Sequence, residues 1–207
     1  MSHPNAAMWD ERYGGQDYAY GPEPNAFLAE QTAERVSGSR ALVPGDGEGR
    51  NGVWLAIQGY KVDTLDLSEH GVAKALRLAQ MRGVKVNALQ ADALVWDWPR
   101  GKYDLVTLIY VHLVAEQRKR LHALALASLK TGGRIVLEAF RPEQIERQQA
   151  GVRGGPRDVA LLYGVEDLRA DFEAGEIVDI WECDAQLAEG ALHLGDAAVV
   201  RALVRGK

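Results

Sequence analysis

Glycine alternates with charged residues in the segment Gly-Asp-Gly-Glu-Gly-Arg, residues 45–50, which directly follows an apolar run. Because glycine has no Cβ, Gly45, Gly47 and Gly49 can adopt positive φ and let a ligand approach the bare main chain. The residues from Asn51 onward predict a helix whose N-terminal amides point toward the same ligand. The pattern is typical of a nucleoside-binding turn, and an ordinary strand-to-helix turn is the alternative.

A carboxylate follows at a position suited to a ribose. Asp66 closes a predicted strand at 62–65, at the usual distance downstream of the glycines for a side chain that accepts both ribose hydroxyls. A dinucleotide-binding turn would need a third glycine at position 50, where the chain has Arg50. The spacing therefore favours a ligand without a pyrophosphate, such as S-adenosylmethionine, over a nicotinamide dinucleotide.

The order of motifs along nearly the whole chain resembles that of class I S-adenosylmethionine-dependent methyltransferases, close to the small tellurite-resistance and thiopurine methyltransferase-like proteins. The motifs that carry this resemblance are W-D-E-R-Y at 9–13, G-D-G-E-G-R-N at 45–51, L-D-L-S at 65–68, Q-A-D-A at 90–93, Y-D-L-V at 103–106, L-K-T-G-G-R-I at 129–135 and the tail at 189–207. The resemblance implies S-adenosyl-L-methionine as the cofactor. It implies a cofactor site made of Gly45, Asp46, Gly47, Gly49, Asn51, Asp66, Leu67, Asp92, Ala93 and Ile109.

Two of these roles come from the family pattern. The Asp92 carboxylate would accept from the adenine amino group and the Ala93 amide would meet a ring nitrogen, although Asp92 is also suited to a helix cap. One departure concerns the donor's ammonium, because Val43 stands where most of the superfamily has an acidic residue. We expect main-chain carbonyls around Gly45, or the Asp46 carboxylate, to accept from that ammonium.

His112 and Tyr20 are the catalytic candidates. His112 stands just past the predicted fourth strand, where a neutral imidazole can take a proton from an attacking nucleophile, and a purely hydrogen-bonding histidine is the alternative. Tyr20 belongs to an aromatic N-terminal segment, and an aromatic face can stabilise a sulfonium. His193, in the tail, either contacts ligand or ties two strands together.

The reaction that these residues predict is direct transfer of a methyl group to a small-molecule acceptor, without a metal. A soft sulfur, selenium or tellurium acceptor would need no general base, whereas a protonated oxygen or nitrogen would need His112. The alternatives are a non-catalytic S-adenosylmethionine-binding regulator, a nicotinamide oxidoreductase, and a nucleic-acid or protein methyltransferase. The last is disfavoured because Y-V-H-L, at 110–113, replaces the N-P-P-Y motif of amino-group enzymes.

Strands and helices alternate along the chain, which predicts an α/β protein. By resemblance it is a Rossmann-like, doubly wound, seven-stranded and mostly parallel sheet with an antiparallel last strand, in the order 3-2-1-4-5-7-6. Gly132 and Gly133 predict the end of a helix before strand five. We expect one methyltransferase domain over 1–207, with an N-terminal lid and helix at 1–38 and a substrate-covering segment at 141–165.

Predicted strands two to seven are 62–65, 84–89, 105–109, 135–137, 176–183 and 197–204.

Composition fits a compact enzyme, with 207 residues, 47% hydrophobic and 26% charged. The net charge is −5, and the basic run Arg118, Lys119 and Arg120 is interpreted as a solvent-exposed helix face. Both features predict that the protein has no nucleic-acid partner. His122 is likewise expected at the surface. A single cysteine, Cys183, and the lack of a signal peptide or long apolar run predict a cytoplasmic protein without membrane contact, as a monomer or weak homodimer.

Overall fold

A computed structural model gives the fold of residues 6–34 and 37–207. Residues 1–5 and 35–36, which belong to the predicted N-terminal lid, lie outside the described part. The helices are α1 Ala6–Tyr13, α2 Ala26–Gln31, α3 Arg50–Ile57, α4 Glu69–Met81, α5 Ala115–Ser128, α6 Gln144–Gln149 and α7 Val165–Asp171. The strands are β1 Arg40–Pro44, β2 Lys61–Asp66, β3 Val86–Gln90, β4 Tyr103–Ile109, β5 Leu129–Phe140, β6 Glu176–Glu189 and β7 His193–Arg205.

The strands form a seven-stranded sheet in the order β3-β2-β1-β4-β5-β7-β6. Strand β2 pairs in parallel with both β1 and β3, and β4 pairs in parallel with β5. Strand β7 runs antiparallel to both β5 and β6. The expected fold class and strand order are therefore confirmed.

The chain divides into two compact units, residues 1–97 and 98–207. In the first unit Ser68 caps α4 by accepting from the Gly71 amide, as its position before an amphipathic run predicts. Helix α4 buries Ala75, Leu78 and Ala79, whereas Leu76 is 47% exposed. All three parallel strands of this unit end at one edge, where β2 ends in Asp66, the glycine loop follows β1 and Asp92 follows β3.

In the second unit β5 begins at Leu129, six residues earlier than the predicted start at position 135. Helix α5 ends at Ser128 and the chain enters β5 at once, so that Gly132 and Gly133 lie inside the strand instead of ending the helix. A Cβ on Gly133 would lie 2.8 Å from the Tyr103 carbonyl oxygen. The glycine is needed there because β4 and β5 come this close, at an irregular register between Tyr103 and Leu105.

The segment 141–165 contains more regular structure than expected. Helix α6 and a 3₁₀ turn at Val159–Leu161 lie within it. The Gln144 and Gln148 amides donate to the carbonyl of Gly154, and Arg153 pairs through its main chain with Leu194. These bonds fix the segment on the second unit. Within the described residues, no helix has the length and apolar character needed to cross a membrane.

Candidate functional site

The glycine loop connects β1 to α3 and takes the backbone conformation that its sequence predicts. Gly45, Gly47 and Gly49 have φ values of 66°, 57° and 89°. A Cβ on Gly49 would lie 2.5 Å from the Cα and the Cβ of Ala75 in α4. Since carbon atoms normally approach to about 3.5–4.0 Å, the loop packs on α4 as only glycine allows.

Asp66, the last residue of β2, holds this loop. One carboxylate oxygen accepts from the Gly47 amide at 2.7 Å, and the other accepts from the Ser68 amide at 2.9 Å. Burial raises the pKa of Asp66, and the main-chain amides of Ser68, Gly47 and Leu67 act in the opposite direction. A carboxylate has about four lone-pair positions, so two remain for other donors such as vicinal hydroxyls.

Asp46 is a second buried carboxyl group in the same loop. It is 6% exposed, and both of its oxygens lie 3.2 Å from the Gly52 amide. Burial, the largest cause, and the neighbouring Asp66 carboxylate raise the pKa of Asp46 to about 8. The Arg50 guanidinium acts in the opposite direction, and a further positive charge beside Asp46 would favour its ionised form.

The N-terminal segment is tied to the loop by polar bonds. The buried Glu48 carboxylate accepts from the Ala19 amide at 2.7 Å and pairs with the Lys74 ammonium at 2.7 Å. The Asn51 side chain accepts from the Asn25 amide at 3.0 Å. Asn51, expected to bind the cofactor, thus holds the segment that follows α1.

Two tyrosines of this segment have different surroundings. The Tyr20 hydroxyl accepts from the Arg12 guanidinium at 2.9 Å, and the residue is partly exposed. Tyr13 is only 5% exposed and stacks on Trp9 at 5.5 Å. A Cβ on Gly47 would lie 2.6 Å from the Tyr13 hydroxyl oxygen, which therefore lies directly on the glycine loop.

The residues after β3 complete the edge of the first unit. The Asp92 carboxylate accepts from the Leu94 amide at 2.8 Å, which forms a local turn. The Ala91 amide donates to the Asp66 carbonyl, and the Gln90 side chain donates to the Leu67 carbonyl. Main-chain bonds thus bring the ends of β2 and β3 together, with Asp92 and Ala93 in the adjoining turn.

In the second unit, the end of β4 carries a strained residue. Ile109 is buried, and Tyr110 after it has a φ of 55°, which is unusual for a residue other than glycine. The Tyr110 hydroxyl donates to the buried Glu138 carboxylate at 2.6 Å, and the Arg201 guanidinium donates to the other oxygen of Glu138 at 2.6 Å. Strain of this kind is kept only where surrounding contacts impose it.

His112 is bonded through both ring nitrogens. Its Nδ1 lies 2.6 Å from the Leu161 carbonyl oxygen, and its Nε2 accepts from the Phe140 amide at 3.4 Å. These partners identify a neutral imidazole with the hydrogen on Nδ1. Burial lowers the pKa of His112 to about 4, and the carbonyl of Leu161 opposes the shift. His193 is also bonded, with Nδ1 3.1 Å from the Glu189 carboxylate.

A buried ion cluster in the second unit contradicts two sequence expectations. Arg118, expected on a solvated face, is 3% exposed and donates to Asp171 at 2.7 Å and to Asp167 at 3.0 Å. His122, expected at the surface, is 1% exposed and lies 2.8 Å from Asp171. The partners lie about fifty residues later, so local patterning around α5 gave no signal of them.

A methyltransferase-domain family model matches residues 41–133, which contain the glycine loop, Asp66, Asp92 and His112. The ribosomal RNA small subunit methyltransferase C of Chromohalobacter salexigens is 37% identical to the chain over 116 residues. That match covers 51% of this chain and 33% of the relative, so the chain spans about a third of the length of this curated relative.

Two solved structures share the fold. The N-methyltransferase NodS of Bradyrhizobium japonicum, in complex with S-adenosyl-L-homocysteine, superposes with a TM-score of 0.70 and 17% identity, covering 99% of both chains. TehB of Haemophilus influenzae superposes with a TM-score of 0.70 and 15% identity, covering 98% of this chain and 67% of TehB. At these identities the likeness concerns the fold.

Proposed function

We propose that the chain is a class I S-adenosylmethionine-dependent methyltransferase, and that it methylates a small-molecule acceptor whose attacking atom is soft sulfur, selenium or tellurium. The methyltransferase-domain match over residues 41–133 and the shared fold support the reaction class. The proposal has two parts, the donor site and the acceptor class. The first unit supports the donor site, and the second unit supports the acceptor class. We also propose that the chain acts as one domain, as a monomer or weak homodimer, and without a nucleic-acid partner.

The donor site is proposed at the edge of the first unit. The positive φ values of Gly45, Gly47 and Gly49 expose main chain to a ligand, and the free lone pairs of Asp66 suit ribose hydroxyls. When bound, the donor supplies an electrophilic methyl group on a sulfonium. The protein's contribution is to hold the reactants in position and to exclude water.

The remaining donor contacts follow from the same edge. We assign the donor's ammonium to Asp46, because a cation beside this buried carboxyl group would stabilise its ionised form. Asp92, Ala93 and Leu67 lie in the adjoining turns and are proposed to meet the adenosine part. For Ile109, the donor contact implied by the resemblance stays a prediction.

One observation supports the proposed class of acceptor: both ring nitrogens of His112 are already hydrogen-bonded within the protein. Its Nδ1 donates to Leu161 and its Nε2 accepts from Phe140, and its low pKa makes protonation costly. A general base needs an available lone pair and a pKa near the working pH. We therefore assign His112 a positioning role, in which it holds Leu161 and Phe140 beside the end of β4. A site without a general base at this position suits an acceptor that needs none.

The substitution His112→Asn tests this assignment, because the asparagine amide can still donate to Leu161. We expect the variant to keep most of its turnover with thiol and selenol acceptors, measured by release of S-adenosylhomocysteine over a panel that also contains amines, alcohols and RNA. Unfolding temperature, measured in parallel, controls for misfolding. Turnover confined to amines, alcohols or RNA, and lost in the variant, would make His112 the base and reject the soft-acceptor proposal.

A regulator that binds the donor without turnover is the second candidate. It would bind S-adenosylhomocysteine and methylate no member of the panel. The same assay separates the candidates, because product release above the rate of an Asp66→Ala variant requires a functioning donor site.

A further inference from the structure

Tyr163 is hydrogen-bonded to the main chain of the segment that follows β4. Its hydroxyl donates to the Val111 carbonyl at 2.7 Å and accepts from the Leu113 amide at 2.7 Å. Residues 111–114 belong to no helix or strand, so regular structure does not fix their main chain. A single hydroxyl therefore holds this segment at two points, one on each side of His112.

The Tyr163 ring is itself fixed by its surroundings. The side chain is 1% exposed, and the Arg118 guanidinium lies over the ring, 5.1 Å from its centre. His122 packs edge-on against the ring with the two ring centres 6.1 Å apart, and Asp171 bonds to both Arg118 and His122. The Tyr163 amide also donates to the Phe140 carbonyl at 3.0 Å. The buried ion cluster thus supports a phenol whose main chain is tied to the end of β5.

The hydroxyl can take both hydrogen-bonding roles because it stays protonated. Burial raises the pKa of Tyr163 above its usual value, and the bond from the Leu113 amide acts in the opposite direction. A phenol O–H is both a donor and an acceptor, so it can satisfy one carbonyl and one amide at once. Removal of this oxygen would leave two partly buried main-chain groups without that partner.

The segment that Tyr163 holds lies where reactants are expected in a sheet of this kind. Ligands of open parallel sheets bind beyond the carboxyl ends of the strands, and this segment begins where β4 ends. Its first residue, Tyr110, has the strained φ of 55°, and Tyr163 fixes the main chain immediately after it. Methyl transfer depends steeply on the position of the acceptor, since a misplacement of about 1 Å can cost about a hundredfold in rate.

We propose that Tyr163 is a positioning residue for methyl transfer, whose hydroxyl sets the main chain after β4 and thereby the placement of the acceptor. The inference rests on the proposed function, which it deepens by naming the group that orders the acceptor side of the site. Tyr163 acts through residues 111–113 and not by touching the acceptor, since its buried hydroxyl is bonded on both sides to main chain.

The test compares Tyr163→Phe with Tyr103→Phe, by turnover of the thiol 2-mercaptoethanol and by titration calorimetry with S-adenosylhomocysteine. Tyr103 is the matched control, because it is a tyrosine of the same unit, 0% exposed, at the opposite end of β4 from the segment that Tyr163 holds. We expect kcat/KM for the thiol to fall roughly ten- to a hundredfold in Tyr163→Phe and to stay at the wild-type value in Tyr103→Phe. The affinity and the stoichiometry for S-adenosylhomocysteine should not change in either variant, because the residues that support the donor site lie in the first unit.

The binding stoichiometry separates positioning from a loss of folded protein. A merely structural role of Tyr163 would lower kcat and the fraction of protein that binds S-adenosylhomocysteine by the same factor, with an unchanged KM for the thiol. That result would overturn the inference. A wild-type kcat/KM in Tyr163→Phe, or an equal loss of kcat/KM in Tyr103→Phe, would overturn it too.

Failure of the proposed function gives a different result. If the wild type methylates an amine, an alcohol or RNA and no thiol, the soft-acceptor proposal is wrong, and the two variants are compared on the acceptor that the wild type uses. If the wild type methylates no member of the panel, the proposed function and this inference are both refuted. A failure of the inference alone shows equal turnover by the wild type and Tyr163→Phe.

Discussion

The contact between Gly49 and α4 makes a strong prediction for the substitution Gly49→Ala. Gly49 has a φ of 89°, and its absent Cβ would lie 2.5 Å from both the Cα and the Cβ of Ala75. The Cα belongs to the helix backbone, so no side-chain rotation relieves the overlap. The glycine loop and α4 must therefore separate by about 1 Å to restore an ordinary carbon contact.

Two costs add in this variant. An alanine in the left-handed region costs about 1–2 kcal/mol, and forced overpacking typically costs about 1–3 kcal/mol more. The matched control is Gly83→Ala, because Gly83 follows the same helix with a φ of 69° and its absent Cβ has nothing within 4 Å. The control isolates the conformational cost, and the difference between the variants isolates the overlap.

Thermal unfolding of ligand-free protein measures this difference. For a chain of this size, about 1–3 kcal/mol lowers the unfolding temperature of Gly49→Ala by roughly 2–12 °C more than that of Gly83→Ala. S-adenosylhomocysteine affinity should fall in Gly49→Ala alone, since only that substitution moves the donor loop. Equal unfolding temperatures in the two variants would refute the tight packing of the loop on α4.

Two further predictions concern buried charge. The pKa of Asp46 is about 8 in the folded state, against an ordinary value of 3.8. Between these values the folded state binds the proton more tightly than the unfolded state does, so the free energy of unfolding falls as the pH rises. Relative to Asp46→Asn, the wild type should therefore lose stability as the pH rises from about 4 to 8. Urea unfolding at pH 5 and pH 8 without ligand checks this, and a stability gap that does not change with pH would contradict it. Asp171→Asn should destabilise the protein by about 3–5 kcal/mol, because it leaves Arg118 buried with a weakened counter-charge. The exposed pair Glu166–Arg169 provides the control, since Glu166→Gln should cost less than about 1 kcal/mol, and comparable losses would show that burial of the Asp171 pair is unimportant.

The features that the sequence predicts well are local or periodic. Apolar β1 followed by alternating glycines, and Ser68 before an amphipathic run, are patterns within about fifteen residues, and the structure has both. The start of β5 was misplaced for a related reason. Gly132 and Gly133 look like a helix terminator locally, whereas the close approach of Tyr103, some thirty residues earlier, decides their conformation. A glycine needed for contact between strands has the same sequence signal as one that ends a helix.

The buried ions and the two tyrosines show the same limit at the candidate site. The sequence predicts Arg118 at the surface, because a charged side chain in a helix is normally solvated unless it has an ion-pair partner. In the structure Asp171, at the end of α7, is that partner. Tyr13 and Tyr20 are chemically identical and lie in the same aromatic N-terminal segment, and Tyr20 is the candidate named from the sequence. Packing of α1 on the loop gives them different surroundings, since the Tyr20 hydroxyl is bonded to Arg12 and the Tyr13 hydroxyl lies against Gly47. A side chain's chemistry can be read from its type, but the group that it is free to bind depends on which partners the fold has already given it.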